Sequence, residues 1–308
     1  MKICRTRYNT GIILALTLAL TAPSCTVKHL MVDEMATVIE KGMPAFEGES
    51  DLSLLEKAFP ANIKLLESLL VSRPKNERML ILLSRMYAGY AFAFFEGKLD
   101  GTDPGGPNTD AAQAALNRYY LKGAEYALRA LELRHPDGRQ QLSKVTTIES
   151  FMNRLTPEDL PALFWYGFNL GAYVNRNRDS MVALAKAFPA EKAMLRSVAM
   201  DEAYYYGSAH LFLMINYAAR PAMMGGSLEK SMYHYKRLKT VAGEQFLLGD
   251  VYFARTYLQR SQDRNQFEEK LNRVIGVKPE KTRFPFLNAV AVERAAQYLE
   301  SADPLFED

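Results

Sequence analysis

Asp51–Val71, DLSLLEKAFPANIKLLESLLV, decides the fold class. Its apolar residues recur three and four positions apart, which gathers them on one stripe of an α-helix. Asn62, Leu66 and Leu69 lie on that stripe, and Pro74 follows shortly after to end the helix. The same spacing returns at Ala124, Leu128, Leu131 and Pro136, and again at Phe267, Leu271, Val274 and Pro279. Ser231, Tyr235, Leu238 and Gly243 repeat it with glycine in place of proline, and Ala190, Met194, Ser197 and Glu202 repeat it weakly. This is the layout of the second helix of a tetratricopeptide repeat, in which the first three positions pack on a partner helix. Only the last two intervals between terminators approach the usual repeat of about 34 residues. Generic amphipathicity also produces the first three offsets, so the terminator is the more specific part. The expectation is an all-α, divergent tetratricopeptide-like helical array, an α-solenoid forming a single domain.

The rest of the chain agrees. Helical spacing is predicted over Lys75–Glu96, Thr109–Leu133, Pro161–Val174, Glu191–Ala219, Ser227–Thr240, Gln245–Arg260 and Gln266–Ile275. Proline and glycine fall between these segments, and no run shows strand-like alternation. Ser227 after Gly225-Gly226, and Thr156-Pro157-Glu158-Asp159, read as helix starts, with a cap, a proline and acids in the first turn. The helical domain is expected over 49–308, with a loop insertion at 97–109.

The N-terminus reads as an export signal. Met1–Thr10 carries Lys2, Arg5 and Arg7 with no acid, and Gly11–Ala22 is apolar apart from two threonines, too short to span a bilayer. Ala22-Pro23-Ser24-Cys25 resembles a bacterial lipobox, with alanine where leucine is commoner. Residues 1–24 are therefore expected to be a lipoprotein signal peptide, Cys25 the lipidated residue, and 25–48 a tether. More than one acyl chain makes a stable anchor. Thr26 is not the aspartate that retains lipoproteins at an inner membrane, which favours a periplasm-facing protein of the outer membrane. The alternative, ordinary cleavage after Ala22, puts a proline directly after the cut.

Composition excludes several chemistries. Cys4 leaves with the signal and Cys25 is consumed by lipid, so no disulfide framework, thiolate metal site or cysteine nucleophile is expected. Removing Lys2, Arg5 and Arg7 balances the remaining charges, and no basic stripe suits nucleic acid. His29, His135, His210 and His234 have no metal-binding spacing. The acidic stretch Asp100–Asp110 lacks two ligands and the glutamate of a calcium loop, and reads as a surface loop. Gly225-Gly226 reads as a tight inter-helix turn rather than an anion cradle. No nucleophile–base pairing is visible. The expectation is a non-enzymatic binding protein with no cofactor and no metal.

Aromatics are the strongest functional signal. Tyr87, Tyr90, Phe92, Phe94 and Phe95 crowd one helix, Phe164, Trp165, Tyr166, Phe168 and Tyr173 another, and Tyr204-Tyr205-Tyr206 with Phe212 form a third group. A helix with aromatics on several faces is either central core or lines a cavity, and repeat arrays bind through concave surfaces. The candidate ligand- or partner-binding residues are Tyr90, Phe94, Trp165, Asn169, Tyr173, Tyr205, His210 and Phe212, with Asn175 and Arg176 as polar companions.

Within Ala203–Tyr235 (AYYYGSAHLFLMINYAARPAMMGGSLEKSMYHY), Gly207, His210-Leu211-Phe212, Arg220-Pro221 and Gly225-Gly226 resemble the signature of the TatT family of TRAP-transporter-associated lipoproteins. Tyr119–Leu133, the Phe164-Trp165 helix, Phe246–Tyr257 and Asn288–Leu299 fit the same pattern, while Met223-Met224 and Lys239–Glu244 depart from it. The resemblance covers nearly the whole mature chain and makes Gly207, Pro221, Gly225 and Gly226 its structural signature. It implies a tetratricopeptide-like protein at the periplasmic face of a membrane, assisting a TRAP-type solute-binding protein. A homo-oligomer, a trimer with a ligand-passing channel, is part of that implication. An adaptor for protein partners with no solute role is the competing reading. Cys25→Ala is expected to move the protein from the membrane to the soluble fraction and to abolish labelling by radioactive palmitate; retention of either would refute the anchor.

Overall fold

Fifteen residues after the first buried leucine of the deciding stretch, Leu55, the helix is still burying one face. Leu55, Phe59, Ile63, Leu66 and Leu70 all point inward from Leu52–Ser72 (α2). Asp51 caps this helix by accepting from the Leu54 amide at 3.0 Å. Asn76 does the same for the next, accepting from Met79 at 2.9 Å. The computed structural model describes residues 24–100 and 107–306. Among the described residues the chain is all-α, with no strand.

The helices follow one another as Ser24–Glu47 (α1), α2, Glu77–Asp100 (α3), Pro107–Arg134 (α4), Gly138–Leu142 (α5), Val145–Arg154 (α6), Leu160–Asn175 (α7), Met181–Leu184 (α8), Ala187–Met200 (α9), Tyr204–Ala219 (α10), Leu228–Ala242 (α11), Leu248–Phe253 (α12), Arg264–Ile275 (α13) and Pro285–Glu300 (α14). α3 is long and apolar enough to cross a bilayer, yet most of it is buried by its neighbours. Two helices carry a π turn. Ala91–Phe95 lies inside α3, and Ala254–Leu258 extends α12.

Packing runs in succession: α2 on α3, α3 on α4, α4 on α7, α7 on α9, α9 on α10, α10 on α11, and α13 on α14. The recurring positions named from sequence supply much of this. Leu66, Ser197, Ser231, Phe267, Leu271 and Val274 are fully buried. Each large apolar side chain so buried contributes about 1.5–3 kcal/mol.

The last helix returns to the first ones. α14 packs on α1, α2 and the end of α3, and Phe286 meets Phe59 and Phe94 at ring distances of 5.9 and 6.4 Å. The succession is therefore a closed circuit. Arg294 of α14 locks it. Its guanidinium, 1% exposed, donates to Asp100 Oδ2 at 2.8 Å and to the Phe92 carbonyl at 2.7 Å. Tyr298 donates to the same Asp100 oxygen at 3.0 Å. The π turn contributes here, since its shifted ladder lets Glu96 bond back to Ala91 and leaves the Phe92 carbonyl facing Arg294. Gly97 gives it room: a Cβ there would sit 3.1 Å from Arg294 Nε, tighter than an ordinary contact.

Three expected boundaries change. The tether over 25–48 is largely helix α1, which docks because Val32, Ala36 and Met43 are buried and Asp33 accepts from Arg73 and Asn76. The loop expected at 97–109 is narrower, since α3 runs to Asp100 under the grip of Arg294 and α4 begins at Pro107. Residues 101–106 and the signal-peptide residues 1–23 lie outside the described residues, and Cys25 falls in the first turn of α1. The single helix expected over Glu191–Ala219 is two, because Asp201 ends α9 in extended conformation (φ −157°, ψ 103°), and α10 is itself kinked near its start, where Tyr205, Tyr206 and Gly207 take left-handed φ values of 45°, 61° and 70°.

Arg294→Met is expected to cost about 3 kcal/mol in urea unfolding, because it leaves the Phe92 carbonyl without its side-chain donor and takes from the Asp100 carboxylate one of its two guanidiniums. A loss under about 1 kcal/mol would show that closure does not depend on this pair.

Candidate ligand cavity

Close packing fills most of the circuit, but its centre holds a cavity of about 620 Å³. Its wall comes from α3, α7, α10, α12 and α14, the helices that meet through the closure just described. The apolar part is made by Phe92, Trp165, Phe168, Phe212, Ile215 and Phe286, with Leu211, Leu248 and Leu287 behind them. The volume falls within the range of small-molecule sites, about 300–1,000 Å³.

Two devices hold these aromatics in place. Gly171 lets α7 approach α10 so closely that any Cβ would stand 2.0 Å from the Phe212 ring. The left-handed turn at Tyr205–Gly207 aims Tyr205 at the cavity. Non-glycine residues in this conformation cost about 1–2 kcal/mol each, and here neighbouring contacts offset it. The Tyr205 ring lies edge-on to Trp165 at 4.7 Å with the Arg85 guanidinium 5.1 Å above it. Tyr206 donates to Glu47 at 3.2 Å and packs on Phe284 at 4.9 Å. Gly207 completes the turn, with Val241 3.1 Å from where a Cβ would be.

One side of the wall is polar. Glu96, Asp100, Arg176, Arg178, Arg255 and Arg260 all line it, with Tyr252 and Tyr298. Asp100 is matched by Arg294 and Arg176. Burial pushes the Glu96 carboxyl above its ordinary range against the pull of Arg176 and Arg294, and Tyr120 donates to it at 2.6 Å. The exposed members of the lining, Arg178, Arg260 and Gln262, mark where the cavity opens.

Of the residues singled out from sequence, Trp165, Tyr205 and Phe212 line the cavity, as do Asn175 and Arg176. Tyr90 and Phe94 pack with Phe59 on the other side of α3, and Tyr173 packs beside Tyr120 and Leu116. Asn169 is fully buried and braces three helices, donating to Ser84 Oγ at 3.1 Å and to the Trp165 carbonyl at 2.8 Å, with α4 admitted against it by Gly123. Gly225 has φ 85°, and a Cβ on Gly226 would strike the Arg220 carbonyl at 1.8 Å, so the pair with Pro221 forms a tight turn. His210 faces away from the cavity. Its Nδ1 lies 2.8 Å from Nδ1 of His234, and its Nε2 lies 3.4 Å from Glu202.

Tyr252, Arg255, Arg260, Phe286 and Tyr298 were not singled out from sequence. Arginines within otherwise apolar helices are the signal they offered, but their convergence depends on ring closure and on two π turns that leave no local mark.

The profile of the TRAP transporter T-component family matches residues 48–306. The chain belongs to that family. A protein of Treponema pallidum (strain Nichols), described as uncharacterized, is 24% identical over 264 residues, covering 83% of this chain and 80% of its own length. The family is a transporter component rather than an enzyme family, which agrees with the non-enzymatic expectation and with a place in the cell envelope.

The histidine pair gives this fold an acid-sensitive joint between α10 and α11. Burial lowers both imidazoles, His234 from 6.5 to about 4 with help from His210 and Lys230. The unfolded chain takes up these protons below about 6.5 while the folded pair refuses them, so stability falls as pH drops from about 6.5 toward 4. Between pH 7.5 and 5 the loss is expected to be on the order of 2 kcal/mol by urea titration, and His234→Gln should flatten that part of the profile. An unchanged slope would place the acid sensitivity elsewhere.

Proposed function

We propose that this protein is the lipid-anchored, periplasm-facing accessory of a TRAP-type importer, holding a solute with a large apolar part and exchanging it with a solute-binding protein. The aromatic-walled cavity at the centre of the closed circuit carries this reading. A solute there is wrapped by side chains from five helices and kept from water, which suits a molecule that diffuses poorly through an aqueous compartment. Anchoring through Cys25 at the outer membrane, and assembly into a homo-oligomer such as a trimer, belong to the same proposal.

The mouth supports contact with a partner. Met181 and Val182 follow Arg178 by a few residues and are 78% and 69% exposed. Met223 and Met224 follow Arg220, whose carbonyl binds the mouth residue Arg260, and Met223 is 94% exposed. Exposed apolar side chains at an opening suit a surface against which a second protein seats. An adaptor gripping a partner without touching solute would use an open concave groove; closure by α14 turns that surface inward, which favours the carrier.

Mild cross-linking in the native periplasm, followed by affinity capture and mass spectrometry, is expected to recover a solute-binding protein at near-stoichiometric yield. Val182→Asp with Met223→Asp should reduce that recovery severalfold. Recovery of copies of this chain alone would remove the importer-accessory reading in favour of a self-assembled carrier.

A further inference from the structure

α1 is fastened to the body along its length. Val32, Ala36 and Met43 are buried in its packing on α2, α3 and α14. Asp33 accepts from Arg73 at 2.8 Å and from Asn76 at 2.6 Å, Glu40 pairs with Arg78 at 2.7 Å, and Glu47 pairs with Arg85. These pairs ascend both segments together, so α1 runs parallel to the first half of α3. Cys25 stands five residues before Leu30 in this same helix, a rise of about 8 Å. A lipid on Cys25 therefore has no tether between it and the folded body. The end of the body that carries Leu30 is held at the headgroups, whatever the protein concentration.

That end is apolar. Leu30 and Met31 are each 62% exposed. Val71, two residues before the Arg73 that binds Asp33, is 82% exposed. Met35 and Val38 follow Met31 at helical spacing and extend the exposed apolar side of α1. Lys75 is exposed at the adjoining turn, where a lysine can lay its stem on an apolar surface and keep its charge in water. Single exposed apolar side chains are ordinary, but a group of them at the lipid-bearing end is not.

The cavity mouth lies at the other end. α3 rises about 35 Å from the turn at Pro74–Asn76 to Asp100, and Asp100 lines the cavity. Arg176 binds Asp100, two residues before the mouth residue Arg178. Arg178 in turn donates to the Ala219 carbonyl at the end of α10. The helices thus place the apolar end and the mouth at opposite poles.

We propose that Leu30, Met31 and Val71 seat in the interfacial layer of the bilayer beside the acyl chains of Cys25, which holds the cavity mouth away from the membrane and facing the aqueous compartment. Lipid chains fix the protein to the membrane, and this second, protein-borne contact fixes its orientation. The reading of Cys25 as lipidated is the premise of this assignment.

Depth-dependent quenching of the lipidated protein in phosphatidylcholine vesicles tests it. Met31→Cys, Val71→Cys and Met223→Cys each carry a thiol-linked nitrobenzoxadiazole label, and doxyl-labelled phosphatidylcholine is the quencher. Labels at 31 and 71 are expected to shift to the blue and to be quenched severalfold more than the label at 223, which reports the mouth. The unsubstituted protein supplies a second readout. Hydrogen peroxide should oxidise Met31 severalfold more slowly on vesicles than in the soluble Cys25→Ala protein, with Met223 unchanged. Vesicle-bound protein with no quenching at 31 and 71 and no protection of Met31 would overturn the seating while leaving the anchor intact. A blue shift that the lipid quencher does not touch would assign the patch to a contact between copies and overturn it as well. Failure of the protein to associate with vesicles at all would overturn both the anchor and the seating.

Discussion

The contact between Arg294 and Asp100 is the constraint on which the rest of the structure depends. A guanidinium that is almost fully enclosed bonds a carboxylate nearly two hundred positions earlier and a main-chain carbonyl beside it. Burying such a pair is expensive unless every donor and acceptor finds a partner. Here Arg176, Tyr298, the freed Phe92 carbonyl and the missing Cβ of Gly97 supply those conditions together. The pair therefore fixes one register between the first and last thirds of the chain.

Closure converts a row of helices into a container. Each helix has an inner face, and in an open array that face would be water-exposed. Joined into a circuit, the inner faces of α3, α7, α10, α12 and α14 surround one space with an aromatic surface, open at Arg178, Arg260 and Gln262. Local departures from regular helix occur at that wall. The π turns at Ala91–Phe95 and Ala254–Leu258 rotate Phe92 and Arg255 relative to the helices that carry them, and the left-handed turn at Tyr205–Gly207 points an aromatic into the space. Such irregularities cost stability and persist only where surrounding contacts over-determine them. All three lie at the cavity wall.

The charged and the apolar halves of the wall have different origins. The apolar half is built of residues that would otherwise be core, kept apart by glycine-mediated approaches such as Gly171 against Phe212. The charged half grows from the closure network itself, since Asp100 and Arg176 serve both the lock and the cavity. The cavity wall and the contact that closes the circuit thus share residues.

The sequence by itself determined that the chain is helical, where most helices lie, which residues face inward and which family the chain resembles. These properties are local or nearly so: apolar spacing, caps such as Asp51 and Asn76, and terminators such as Pro74 and Pro279 are encoded within a few residues of where they act. Tertiary structure decided which aromatics became wall and which became core. Tyr90 and Phe94 share one face of α3 and Phe92 lies on the opposite one, and only the packing of distant helices decides that the face of Phe92 meets the cavity while that of Tyr90 and Phe94 meets Phe59. His210, prominent in the recognised block, pairs with His234 away from the cavity, while the unremarked Tyr252, Arg255 and Tyr298 meet inside it. Pattern analysis reads the direction of a side chain relative to its own helix. The closing of helices separated by most of the chain length depends on long-range packing and one buried ion pair, neither of which leaves a periodic trace.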